Sequence, residues 1–115
     1  MIAQGEVHWV DLGSPGSEPG YRRRCVIVQN DAFNRSRIST TVVAVITTNL
    51  RLGDAFGNVP LRKGEAGLPC RSVVNVSQIA TIDKSMLSGR VGKLSARRLD
   101  EVITGIHALL HPVEM

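Results

Sequence analysis

Aromatic side chains are scarce: one Trp, one Tyr and two Phe in 115 residues. Trp9, Tyr21, Phe33 and Phe56 are too few to build the stacking platforms on which many RNA-binding proteins lay bases. Cysteine is sparser still. Cys25 and Cys70 form no Cys-x-x-Cys pair and exclude a disulfide scaffold; they read as thiols in a reducing cytoplasm. No apolar run approaches the roughly 20 residues that span a bilayer. The opening Met1 to Leu12 mixes Gln4, Glu6, His8 and Asp11 among its apolar residues, unlike a secretory signal. A cytoplasmic location with no membrane partner is the expectation. Metal-ligand clusters are missing too. His107 and His111 are spaced i, i+4, but no Glu sits beside the first and no third ligand is at hand. Neither a metal nor another cofactor is therefore expected. Pro112 follows His111 directly, which makes His111 the end of a helix, where a proton is welcome.

What is present is arginine. The formal net charge is +4, which favours an anionic partner. Every Lys or Arg before Lys63 is an arginine: Arg22, Arg23, Arg24, Arg35, Arg37, Arg51 and Arg62. A planar guanidinium fork meets two phosphate oxygens at once, whereas lysine offers a point charge. A solvated surface accounts for most of these positions and least well for the Arg22–Arg24 triplet. Apolar content of 43% and charged content of 21% are ordinary for a globular chain. The length fits one hydrophobic core, so residues 1–115 are read as a single domain.

Hydrophobic period predicts strands first and a helix last. Glu6 to Leu12 alternates, placing Val7, Trp9 and Asp11 on one face and His8, Val10 and Leu12 on the other. Gly13 to Gly20 is a Gly/Pro breaker cluster. Arg24 to Gln29 and Thr40 to Thr47 are β-branched and nearly continuously apolar, as strands buried on both faces are. Asn58 to Leu61 is a short strand, and Ser72 to Ile82 a long one bent near Gln78. Asp83 caps a short turn from Lys84 to Leu87. From Ser95 the period becomes helical: Leu99, Val102, Ile103, Ile106 and Leu110 form one stripe, with Ser95 as N-cap and Pro112 as the stop. Arg97 and Arg98 fall in its first turn, where the helix dipole disfavours cations, and solvent exposure is the expected remedy. The predicted fold class is mainly β (α+β): a small, strongly bent sheet or SH3-like barrel with a packed C-terminal helix.

The breaker cluster runs straight into the arginine triplet, so a loop can close over a phosphodiester held below it. Period two then divides the triplet. Arg23 shares a face with Cys25 and Ile27, while Arg22 and Arg24 share the other with Val26 and Val28. One arginine thus points into a cleft and its neighbours elsewhere. Thr47 and Thr48 end a buried strand, where hydroxyls emerge from the core. An arginine and a threonine suffice for a limited chemistry. RNA carries its own nucleophile, the 2′-hydroxyl, which needs only orientation and stabilisation of the charge that develops at phosphorus. Arginine is a poor general base; His8, Glu18 and Asp31 are the candidates for proton transfer.

Five stretches in order resemble the MazF/PemK family of type II toxin–antitoxin toxins. They are Gly5 to Leu12; Gly16-Ser17-Glu18 followed by Arg23 and Cys25 to Asp31; Ala44 to Thr47; Ser72-Val73-Val74 with Gln78-Ile79 and Thr81 to Lys84; and Arg90 to Leu94. The resemblance implies an SH3-like barrel of the PemK/CcdB type, a homodimer, and metal-independent cleavage of single-stranded mRNA at short sequences. The products implied are a 2′,3′-cyclic phosphate and a 5′-hydroxyl. It also implies catalytic roles for Arg23 and Thr47, the arginine being counted back from Gln29-Asn30-Asp31. Two departures stand out. The family usually has proline after the catalytic arginine, where this chain has Arg24. Some members carry an arginine and an aspartate on the strand that here holds Asn75 and Ser77, so that acid–base pair does not transfer.

RNA binding is expected from Ser17, Glu18, Arg22, Arg24, Thr48, Ser77 and Gln78. The partners implied are single-stranded RNA, a second copy of the chain, and an antitoxin. The acidic C-terminal segment of that antitoxin would displace the Gly13–Gly20 loop and cover Arg23. The competing readings are a non-catalytic RNA- or protein-binding barrel and a gyrase-poisoning toxin of the CcdB kind.

Overall fold

The β-branched runs become the centre of one sheet. The computed structural model describes residues 1–13 and 21–115. Its strands are Glu6–Asp11 (β1), Arg22–Ile27 (β2), Thr40–Thr47 (β3), Val59–Leu61 (β4), Ser72–Asp83 (β5) and Leu87–Lys93 (β6). A single-turn helix, Asp31–Asn34 (α1), follows β2, and the long helix Ala96–Leu110 (α2) closes the chain. The sheet order is β4-β5-β3-β2-β1-β6, with antiparallel neighbours throughout.

Alternation along β2 and β3 builds a core on each face. Val26, Val28, Ala44 and Ile46 join Val102 of α2, with Leu99, Ile103 and Ile106 packed alongside. Cys25, Ile27, Val43 and Val45 face the other way, against Val10 and Ile82, with Met86 and Leu87 at the margin. One face is thus closed by the helix and the other by the curl of the sheet itself: the expected mainly β fold with a packed C-terminal helix takes the form of a curled half-barrel sheet.

The curl has a definable hinge. The β3–β5 register runs to Ala44↔Ile79 and then jumps to Val45↔Asn75, so Val76, Ser77 and Gln78 have no partner on β3. Asn58 Oδ1 accepts the Val76 N–H at 2.9 Å in place of a ladder bond. Helix α2 crosses here at Gly105, where a Cβ would run into the Gly57 carbonyl. The bend expected near Gln78 is present.

Helix signals also hold. Ser95 Oγ accepts the Arg98 N–H at 3.2 Å, and α2 ends at His111, whose N–H donates to the His107 carbonyl at 2.9 Å. Asp83 Oδ1 accepts the Ser85 N–H at 2.8 Å and caps the turn at Lys84–Met86. Two expectations fail. Strand β6 was not foreseen, because Leu-Ser-Gly-Arg-Val-Gly-Lys has one β-branched residue and two glycines; pairing with β1 forms it instead. Arg98 is not solvated. Its side chain is 13% exposed and pairs with Glu65 at 2.9 Å and Glu101 at 3.2 Å, which offset the unfavourable helix dipole. Arg97 is exposed, as expected.

Candidate active site

Strand register brings the predicted pair together. Strands β2 and β3 pair Cys25 with Val45; carried two residues on, that register sets Arg23 opposite Thr47. On the other side of β2, Val10 pairs with Arg23, Trp9 with Arg24 and Asp11 with Arg22. At this end of the sheet lies a pocket of about 280 Å³ lined by Trp9, Arg22, Arg23, Arg24, Ile46, Thr47 and Thr48.

Each polar group in the pocket is held but not exhausted. Arg23 donates to the Tyr21 hydroxyl at 3.3 Å and, at a marginal 3.5 Å, to the Ile46 carbonyl. Both contacts are long for charge-assisted bonds, so the guanidinium keeps donors for an incoming anion. Thr47 Oγ1 accepts the Asn49 N–H at 3.1 Å. This fixes the oxygen and leaves the hydroxyl proton free to be donated. Asn49 in turn caps the 3-10 turn Leu50–Asp54 by accepting from the Arg51 N–H, so the strand end that carries Thr47 is anchored.

Arg22 and Arg24 take a different course. Their guanidinium carbons lie 4.7 and 4.3 Å from the centroid of the Trp9 ring. Period two does separate them from Arg23, but they do not point away from the cleft. Attraction to the Trp9 π face holds both at the pocket. Among the described residues none of the three arginines forms an ion pair. Three positive charges therefore meet in one concavity that no described carboxylate neutralises, which suits a polyanion.

The proton-transfer candidates fare less well. His8 is buried, its Nε2 3.1 Å from Glu6 Oε1. Asp31 accepts the Gln4 N–H at 2.7 Å and an Asn34 N–H at 3.3 Å; these bonds, the Gln4 one foremost, hold its carboxyl below the ordinary range. Both serve the fold, and neither lines the pocket. Cys25, two residues from Arg23, is no nucleophile either: burial pushes its thiol up to about 12 against the lowering field of Arg23. Ser77 and Gln78 lie outside the pocket, exposed in the β5 bulge, where Asn75 bridges them at 2.9 and 3.4 Å. Ser17 and Glu18, with most of the Gly13–Gly20 loop, fall outside the described residues.

The family model described as PemK-like, MazF-like toxin of type II toxin-antitoxin system matches residues 3–110. The chain belongs to this family. It is 42% identical over 111 residues to Endoribonuclease MazF2 of Mycobacterium bovis, covering 96% of this chain and 97% of that protein. Endoribonuclease MazF of Staphylococcus saprophyticus is 36% identical over 108 residues, 92% of this chain and 88% of its own. In fold, the chain resembles a solved mycobacterial endoribonuclease in complex with its cognate antitoxin. That likeness has a TM-score of 0.78 and 24% identity, covering 99% of this chain and 100% of the other.

The PemK/MazF-like fold thus gathers five of the nine expected site residues in one pocket: Arg22, Arg23, Arg24, Thr47 and Thr48. Trp9 and Tyr21 are the additions. Trp9 could have been found from the alternation of β1 once β1 and β2 were paired, since it lies cross-strand from Arg24. Among the described residues, no helix is long and apolar enough to cross a membrane.

Proposed function

We propose that this chain is a cytoplasmic endoribonuclease toxin that cleaves single-stranded RNA at the Arg23–Thr47 pocket without a metal ion. The observation that carries the reading is the meeting, on adjacent strands, of a guanidinium with no ion pair among the described residues and a hydroxyl free to donate its proton. The endoribonuclease names of its relatives support the same class. The substrate's 2′-hydroxyl gives its proton to solvent as its oxygen attacks the adjacent phosphorus. The 5′-oxygen takes up a proton from solvent as its bond to phosphorus breaks, leaving a 2′,3′-cyclic phosphate and a 5′-hydroxyl. Arg23 donates to the non-bridging oxygens as their charge grows, and the Thr47 hydroxyl supplies a further donor. Thr48, Arg22 and Arg24 hold the flanking backbone. Positioning and charge stabilisation are what the described pocket residues contribute to the rate.

Incubating a long single-stranded RNA with the protein in EDTA tests this. Cuts at a short recurring sequence are expected, and removing one preorganised donor as Arg23→Ala should slow them about 10²–10³-fold. Undiminished cutting by that variant would overturn the assignment.

Two partners follow. An acidic antitoxin segment fits a pocket whose arginines no described carboxylate neutralises, and its binding should weaken with salt. A second copy of the chain is supported by an apolar groove of about 430 Å³ flanked by Phe33, Ile38 and Leu110, all three exposed. Sedimentation at micromolar concentration should show a dimer; a monomer would remove that part of the proposal.

A further inference from the structure

Arg24 stands next to Arg23 on β2 and adds a charge that needs a place. Two guanidiniums two residues apart on one strand repel each other, and neither has a carboxylate partner among the described residues. Left to themselves, such side chains sample many rotamers in solvent. Here both settle on one indole, 4.7 and 4.3 Å from its centroid. Trp9 is half-buried, on a strand anchored by the fully buried Val7 and Val10. Cross-strand pairing with Arg24 places it under both arginines.

We propose that Trp9 is a positioning residue for substrate: its ring racks Arg22 and Arg24 at the pocket mouth, so that they grip the phosphates flanking the one held by Arg23. The inference rests on the nuclease reading for the identity of its ligand, the backbone of single-stranded RNA. Racking lowers the entropy lost when a phosphate is bound, because the two forks already stand where they are needed. A cation–π contact uses no N–H donor, and no described carboxylate takes those of Arg22 or Arg24, which leaves them for phosphate oxygens. The consequence is selective. Trp9 acts on binding of the flanking backbone and does not touch the reacting phosphorus, so it governs KM more than kcat.

The test uses the full chain and a single-stranded DNA oligonucleotide, which lacks the 2′-hydroxyl and reports binding even where no cleavage occurs. Trp9→Leu should weaken binding about fivefold and flatten its salt dependence by up to about 1.4 in slope, the share of two phosphate contacts. Trp9→Phe should recover most of both. With a cleavable RNA, Trp9→Leu should raise KM while kcat changes less than twofold. Arg22→Lys and Arg24→Lys keep charge but lose the planar fork; they should also bind less tightly, and they leave Trp9 and its packing intact should Trp9→Leu fold poorly. Because the chain has one Trp, its emission reads the rack directly. It should shift on adding the oligonucleotide and stay unchanged in the Arg22→Ala/Arg24→Ala double variant. Unaltered affinity and salt slope in Trp9→Leu, or in both lysine variants, would overturn the rack. Normal DNA binding governed by the rack, with no cut in any RNA, would instead remove the nuclease reading and leave the rack standing.

Discussion

Arg23 and Arg98 are both half-buried arginines on regular elements, yet their surroundings assign them opposite work. Arg98 meets Glu65 through two nitrogens, at 2.9 and 3.2 Å, and Glu101 through a third at 3.2 Å. One cation thus faces two carboxylates, and its donors are spent tying α2 to the turn at Glu65–Gly67. Among the described residues Arg23 meets a phenol and a backbone carbonyl, at 3.3 and 3.5 Å, with two further cations beside it. A guanidinium stays available for a ligand where, as at Arg23, no described carboxylate meets it. Burial alone does not distinguish the two.

The largest effects should separate them cleanly. Arg23→Ala is expected to cut RNA cleavage about 10²–10³-fold while shifting stability by less than about 0.5 kcal/mol; a comparison of initial rates and melting curves checks both. Arg98→Ala should do the reverse, losing about 1–3 kcal/mol because two carboxylates are left without their partner. The figure lies toward the low end, since Glu101 is 40% exposed and partly solvated. Cleavage per folded molecule should be unchanged. Were Arg98→Ala to lose activity at full stability, the division of labour would collapse.

Thr47 sharpens the contrast on the neighbouring strand. Thr47→Ala should slow cleavage at least tenfold, and Thr47→Ser should restore most of it by returning the hydroxyl. Equal rates for both variants would show that the hydroxyl proton is unused.

A smaller effect lies in the pH dependence of the clamp. Glu65 is held below the ordinary glutamate range, first by its hydrogen bond from Arg98. Its ionised form therefore favours the fold. That contribution is complete above the unfolded value of about 4.3 and disappears as pH falls through the depressed folded value. The stability gap between the native chain and Glu65→Gln should accordingly narrow on acidification, as denaturant titrations at successive pH values would show. A gap that widens would mean the ion pair opposes folding. Smallest of all, a thiol reagent near neutral pH should label the exposed Cys70 and spare Cys25, whose burial outweighs the field of nearby Arg23.

Local pattern made much of this legible. The central strands, the bend at Gln78, the Ser95 cap and the stop at Pro112 depend on neighbours in sequence, and each could be read from spacing. Arg23 and Thr47 were singled out by the family resemblance, and strand register brings them to one pocket; parity alone would have sent Arg22 and Arg24 elsewhere. What escaped depends on partners far along the chain. Arg98 looked misplaced until Glu65, 33 residues earlier, came to lie beside it. Strand β6 has little propensity of its own and exists because β1 pairs with it. Trp9 was counted as one of too few aromatics, whereas its use comes from the strand across from it. Asp31 lies outside the pocket for the same reason, held by Gln4 27 residues earlier, whereas the pairing of His8 with Glu6, two residues away, was local.

The most direct measurement uses an RNA oligonucleotide containing one mapped cut site, compared with the same strand bearing a single 2′-deoxynucleotide on the 5′ side of that bond. If Arg23 and Thr47 only stabilise an attack made by RNA itself, the all-ribose strand is cut in EDTA to a 2′,3′-cyclic phosphate and a 5′-hydroxyl. The substituted strand should bind with similar affinity and stay whole at that bond. Cleavage of the deoxy-substituted bond at a comparable rate would contradict this mechanism and require a nucleophile supplied by the protein or by water.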